Sequence, residues 1–170
     1  MSEANPHRRS GTVMIAIAWL LVMGGGWWYF DGWLGRQNNP NQTVQGNASG
    51  EVVLERNRDG HYVASGEING TPVTFLLDTG ATDVALPTGL ARRLGLRRGA
   101  AVMMTTANGQ ALGYQTRLDS VRLGPILLQD VAASFSDGID TDTVLLGMSF
   151  LKRIDFSQRD GRLVLRMPAR

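Results

Sequence analysis

Two hydrophobic patterns divide the chain. Residues 13–30, VMIAIAWLLVMGGGWWYF, are apolar on every helical face and carry no charge, whereas from residue 51 onward apolar and polar positions alternate in short runs. An uncharged helix of that length, rising ~1.5 Å per residue, reaches about 27 Å and spans the hydrocarbon of a bilayer with little tilt. Trp27, Trp28 and Tyr29 at its far end suit the headgroup level, and Arg8 and Arg9 ahead of it are flanking charges that stay on the cytoplasmic side. No Ala-x-Ala-type cleavage site follows the run, so the expectation is an uncleaved signal anchor. Residues 1–12 are then a cytoplasmic tail, and everything after residue 30 lies across the membrane.

Residues 31–50 are rich in Asn, Gln and Gly, with little to bury, and read as a flexible tether. Beyond it, residues 51–170 make one domain of ordinary size, built from period-2 runs separated by turn signals. Asp59-Gly60 separates residues 51–57 from 61–68, and Asn69-Gly70 leads into 71–77; both dipeptides supply the positive φ angles of hairpins, so the three runs predict a meander. Asn108-Gly109 and Asp160-Gly161 predict two more hairpins. Only residues 88–94, between Pro87 and Gly95, and residues 148–152 look helical. The class is mostly β, a small barrel or sandwich.

Composition then narrows the chemistry. The chain has 17 Lys+Arg against 15 Asp+Glu, and its one arginine cluster, Arg92, Arg93, Arg97 and Arg98, reads as a solvated helix end, so no nucleic-acid partner is expected. There is no cysteine, and the two histidines are His7 and His61, which leaves neither a thiolate nucleophile nor a His-based triad or metal set. Asp137, Asp140 and Asp142 lack the glycine and terminal glutamate of a calcium loop and read as solvated. No metal or cofactor is expected. Catalysis here would rest on carboxylates, hydroxyls, amides or arginine.

One carboxylate stands out. In FLLDTGATD, residues 75–83, Asp78 follows three apolar residues and precedes Thr79-Gly80, which places it where a buried strand leaves an apolar core. Desolvating a carboxylate there is costly unless a metal or a second, proton-sharing carboxylate compensates. In a shared-proton pair, the charged member takes a proton from water and the neutral member donates one to an amide carbonyl. The plain alternative is an aspartate that caps a turn.

The stretches FLLDTGAT (75–82), VALP (84–87), TANG (106–109) and VLLGMSFLKR (144–153) together resemble the retropepsin-like aspartic proteases, in particular their membrane-anchored bacterial group. The resemblance covers residues 51–170. It implies a small closed β-barrel with one or two short helices behind a single transmembrane helix, and peptide-bond hydrolysis as the activity. By the same resemblance Asp78 is the catalytic aspartate, Thr79 braces the active-site loops, and Gly80 lets the backbone approach. Leu145, Leu146 and Gly147 pack behind that loop, Ala81, Thr82 and Asp83 line the substrate groove, and the hairpin at Asn108 and Gly109 is the flap over the peptide. A second Asp-Thr-Gly is missing from the sequence, so a dyad needs a homodimer. The implied location is the bacterial inner membrane, N-terminus cytoplasmic and catalytic domain periplasmic. Two departures are visible: Met148-Ser149 follow Gly147 where viral members carry arginine and an acidic or amide residue, and VLRMPAR has no counterpart of the interleaving terminal strands of viral dimers. A non-catalytic peptide-binding module on the same barrel is the alternative function.

Overall fold

A computed structural model describes residues 6–47, 50–106, 109–139 and 142–168. They fall into two units, Met1–Gln37 and Asn38–Arg170. The first is a helix, α1 (Pro6–Asn38), which continues past the apolar run into the segment read as a tether. Its stretch from Met14 to Asn38 is long and apolar enough to cross a membrane, with none of the apolar window buried. Trp27 and Trp28 are 78% and 81% exposed.

The second unit is built almost wholly of strands: β1 (Val52–Glu55), β2 (Val63–Ile68), β3 (Thr71–Leu77), β4 (Val84–Pro87), β5 (Ala101–Thr106), β6 (Gly109–Leu123), β7 (Ile126–Ser136), β8 (Thr143–Leu146), β9 (Asp155–Arg159) and β10 (Arg162–Arg166), with short helices α2 (Thr88–Arg93) and α3 (Met148–Leu151). One sheet runs β2-β3-β8-β4-β7-β6-β5, and a further pairing of β2 with β6, Ile68 opposite Val121, joins its ends. The sheet therefore closes into a barrel with β5 appended. Its interior holds Phe75, Val84, Leu86, Leu118, Val121, Val131, Val144 and Leu146, all fully buried, which accounts for the alternation along each strand. A second sheet, β1-β10-β9, packs Val52, Leu54, Leu163 and Leu165 into the same core.

Three expectations change. The first arm of the meander does not form: β1 pairs with β10, Val52 opposite Leu165, not with β2. Asp59-Gly60 still turns the chain, with Asn57 N–H bonding His61 O at 2.8 Å, but a turn sets a reversal and not the pairing of the strands beyond it. The longest hairpin, β6–β7, was not among those expected: it turns at Gly124-Pro125, a turn dipeptide, and Asp130, at φ 53, interrupts the alternation inside β7. Third, the stretch 31–50 is not a free tether. It is helical to Asn38, and beyond it Asn41 is buried in the fork between β1 and β2. There Asn41 Nδ2 donates to Glu55 O (2.9 Å) and Val63 O (2.7 Å), and its Oδ1 accepts from Glu55 N–H (2.8 Å). Val44 packs on the core. Polar composition hid this because the anchoring is made by one amide.

Candidate active site

Asp78 sits at the mouth of the barrel, in the loop between β3 and β4. Parallel pairing of β3 with β8 sets Leu76 beside Leu145 and Leu77 beside Leu146, and β4 lies on the other side of β8, with Ala85 opposite Leu145. The loop 78–83 thus leaves one neighbour of β8 and returns along the other, with Leu146 and Gly147 between its two limbs. Asp78 N–H bonds Leu146 O at 3.2 Å. The first turn of α3 closes the back: Met148 N–H donates to Ala81 O (2.8 Å) and Ser149 N–H to Thr82 O (2.9 Å).

Gly147 is where this packing has no slack. A Cβ there would clash with Asp83 O and come within 2.6 Å of Ala81 O, both backbone atoms of the loop itself. The crowding explains why the apolar-apolar-Gly element must end in glycine. Ser149, one residue past the Gly147-Met148 pair, is buried; its hydroxyl accepts from Val84 N–H (3.0 Å) and donates to Ala132 O (2.7 Å), tying α3 to β4 and β7. That residue was not singled out in the sequence, where it counted only as a departure from the viral pattern.

Asp78 is half-buried, more open within one chain than its apolar lead-in suggests. Its Oδ1 accepts from Gly80 N–H at 2.8 Å, and a Cβ at Gly80 would lie 3.1 Å from that oxygen. Thr79, Gly80 and Thr82 are exposed, while Ala81 and Asp83 are half-buried. The loop therefore exposes Thr79, Gly80 and Thr82 and leaves Asp78 half-buried between them and β3. A cleft of about 860 Å³ opens beside it, lined by Asp83, Leu94, Arg97, Arg98, Gln115 and Arg117 among others, but Asp78 is not part of its lining. Asp83 is the one residue of the loop that it touches. This cleft and the candidate chemistry are thus separate.

The β5–β6 hairpin, read from the sequence as the flap, sets Met103 opposite Leu112 and Thr106 opposite Gly109. Asn108 lies outside the described residues, as do Ala107 and Asp140. Gly109 begins β6 at φ 107. Met103 and Leu112 are 61% and 52% exposed and share one face of the hairpin. Its base is fixed by Tyr114, whose ring packs on Phe135 at 5.8 Å and carries the Arg98 guanidinium at 4.7 Å. Among the described residues no group of three His, Asp or Glu side chains converges as metal ligands would.

Comparison with known proteins agrees with this geometry. The family described as "gag-polyprotein putative aspartyl protease" matches residues 64–153, which runs from β2 through α3. An uncharacterized protein from the cobV 5' region of Sinorhizobium sp is 34% identical over 111 residues, 64% of this chain and 48% of its own. An uncharacterized protein of Rickettsia prowazekii (strain Madrid E) is 31% identical over 119 residues, 68% of this chain and 51% of its own. The chain thus spans about half the length of these curated relatives. The crystal structure of a retropepsin-like aspartic protease from Rickettsia conorii superposes with a TM-score of 0.56 at 34% identity, covering 68% of this chain and 98% of that one. Its match extends over nearly all of that solved domain, so the likeness is one of whole fold and not of a shared loop. By fold and by sequence, the chain belongs to the retropepsin-like aspartic protease family.

Proposed function

We propose that this protein is a membrane-anchored aspartic endopeptidase whose active site forms between two copies of the chain. The observation that carries the reading is the Asp-Thr-Gly loop: it is clamped from behind by Leu146, Gly147 and α3 while Thr79 is exposed and Asp78 is half-buried. One such loop offers one carboxylate. Two loops meeting across a two-fold axis bring the Asp78 pair together, remove both from water, and let them share a proton. The charged aspartate then takes a proton from a water molecule, whose oxygen attacks the scissile carbonyl carbon. The neutral aspartate donates its proton to the carbonyl oxygen, and collapse of the tetrahedral adduct breaks the C–N bond as the amine is protonated. Thr79 of each loop braces the other.

The remaining parts have roles in the same scheme. Thr82 and Asp83 line the groove for an extended peptide, and the β5–β6 hairpin, carrying Asn108 and Gly109, closes over it and excludes water, with Met103 and Leu112 offering apolar surface. Helix α1 holds the domain on the bilayer, with the N-terminus in the cytoplasm and the barrel in the periplasm of a bacterium. No cofactor enters the scheme. Confinement to one membrane raises the effective concentration of the two copies.

A second reading has one observation behind it. The Gly80 N–H bond to Asp78 Oδ1 is also what a turn-capping aspartate makes, as a peptide-binding barrel without catalysis would retain. The deciding experiment incubates the full chain in detergent, wild type and Asp78→Asn, with a diverse peptide pool from about pH 4 to pH 7, a range over which an aspartate pair loses its shared proton, and reads products by mass spectrometry. Cleavage by the wild type alone supports the endopeptidase. Peptide retention without cleavage by either form supports the binding module.

A further inference from the structure

We propose that the cleft beside Asp83 binds an acidic side chain of the peptide substrate, held by Arg97 and Arg98, and so gives the endopeptidase a preference for Glu or Asp at a fixed distance from the cleaved bond. The inference deepens the endopeptidase reading and rests on it, since that reading places a peptide in the groove without saying what selects it.

One wall of the cleft is the segment between α2 and β5. After α2 the chain turns at Gly95, at φ 65, and both ends of the run that follows are fixed. Leu94 and Leu96 pack on the core, and Leu96 N–H bonds Ala91 O at 3.0 Å. At the far end Gly99 N–H bonds Gln115 O (2.8 Å) and Gln115 N–H bonds Ala100 O (2.9 Å), which extends the β5–β6 ladder. A Cβ at Gly99 would lie 2.7 Å from Gln115 O, so the segment is drawn closely onto β6. Arg97 and Arg98 therefore stand on a wall held at both sides, and not on the solvated helix end expected of them. Arg92 and Arg93, in the last turn of α2, take no part in the lining.

The charged side chains of the cleft are Arg97, Arg98, Arg117, Asp83 and Asp119. Arg117 is already matched, its Nη1 2.6 Å from Asp130 Oδ1. Among the described residues Arg97 and Arg98 pair with no carboxylate, and Asp83 and Asp119 pair with no cation. The fold thus sets unmatched charges of both signs on one cleft and keeps them apart. Arg98 is also held in orientation: its guanidinium lies 4.7 Å from the centre of the Tyr114 ring, which packs on Phe135 at 5.8 Å. A guanidinium stacked by its face keeps its N–H donors in its own plane, where one carboxylate takes two of them at once.

Position decides the occupant. Asp83 belongs both to the cleft and to the loop that carries Asp78, and Tyr114 belongs to the hairpin read as the flap. A peptide extended between that loop and that hairpin passes the cleft, and its side chains point to one face at every second residue. An acidic side chain entering there meets Arg97 and Arg98. One that enters out of register meets Asp83 or Asp119, which adds repulsion to the discrimination.

The test uses the full chain in detergent and matched peptide pools that carry Glu, Gln or Lys at one scanned position. Wild type is expected to cleave the Glu peptides about fivefold more efficiently, in kcat/KM, than the Gln peptides at one position and not at its neighbours, as a partly exposed ion pair allows, and high salt should shrink that ratio. Arg98→Glu should invert the order, so that Lys peptides are preferred; each ratio is taken within one variant, so a variant of lower activity still gives an answer. Retention of the same pools on immobilised Asp78→Asn chains, read by mass spectrometry, needs no cleavage and should follow the same order. Cleavage without a Glu preference, or a preference that survives Arg97→Gln combined with Arg98→Gln, overturns the cleft and leaves the endopeptidase standing. No cleavage by wild type, with Glu peptides still retained about fivefold better than Gln peptides, overturns the endopeptidase and leaves the cleft as a peptide site. Arginine-dependent binding to phosphatidylglycerol vesicles without discrimination among the peptides would assign the cleft to lipid and overturn the proposal.

Discussion

At the scale of the residue, the candidate site depends on a few atoms that cannot be exchanged. Asp78 carries the proposed chemistry, and Asp78→Asn should reduce peptide cleavage by about a thousandfold or more, in line with loss of a general acid–base group, while circular dichroism and thermal midpoint stay unchanged. Gly147→Ala should do the reverse in kind. Its Cβ would press on Ala81 O and Asp83 O, costing about 1–3 kcal/mol by overpacking and displacing the loop, so both urea midpoint and turnover fall. Ser149→Ala strands the buried Val84 N–H and Ala132 O and should cost about 1–3 kcal/mol in a denaturation curve. Asp78 could be read from the sequence because its signal is local: three apolar residues, then Asp-Thr-Gly. Ser149 could not, since its partner Val84 lies 65 residues away and no local pattern marks a hydroxyl that joins three elements.

At the scale of the element, the alternation that predicts strands also predicts which side chains line the barrel, and the short helices at 88–93 and 148–151 follow from Pro87, Gly95 and Gly147. Pairing is another matter. The Asn69-Gly70 hairpin forms as its dipeptide predicts, Ile68 opposite Thr71, because a two-residue turn forces its flanks together. The longer link at residues 56–62 forces nothing, and β1 goes to β10 instead. Asn41 then does what a hairpin would have done, satisfying Glu55 and Val63 where β1 and β2 part. A domain starting at residue 51 should therefore be less stable than one starting at residue 38. The loss of these bonds and of Val44 packing, about 3 kcal/mol, lowers the thermal midpoint by roughly 5–15 °C. Equal midpoints for the two fragments would show that the segment adds nothing.

At the scale of the whole molecule, the proposed reading makes one chain half a site. The barrel is closed and its core is filled, yet Asp78 is half-buried, Thr79 is exposed, and the roomy cleft beside Asp83 does not include the carboxylate. The stretch of α1 from Met14 to Asn38, long and apolar enough to cross a membrane, predicts that the full chain partitions into detergent or liposomes and that the domain without it stays in water. The dimer is the central claim, and it rests on counting motifs along the sequence together with the outward presentation of the loop. Subunit mixing tests it most directly. Asp78→Asn chains are exchanged into wild-type chains at fixed total concentration, and the peptide-cleavage rate is followed against the wild-type fraction. If two Asp78 carboxylates are needed per site, the rate falls as the square of that fraction, to about one quarter in an equal mixture. A linear fall, to about half, would mean that each chain works alone and would contradict the account.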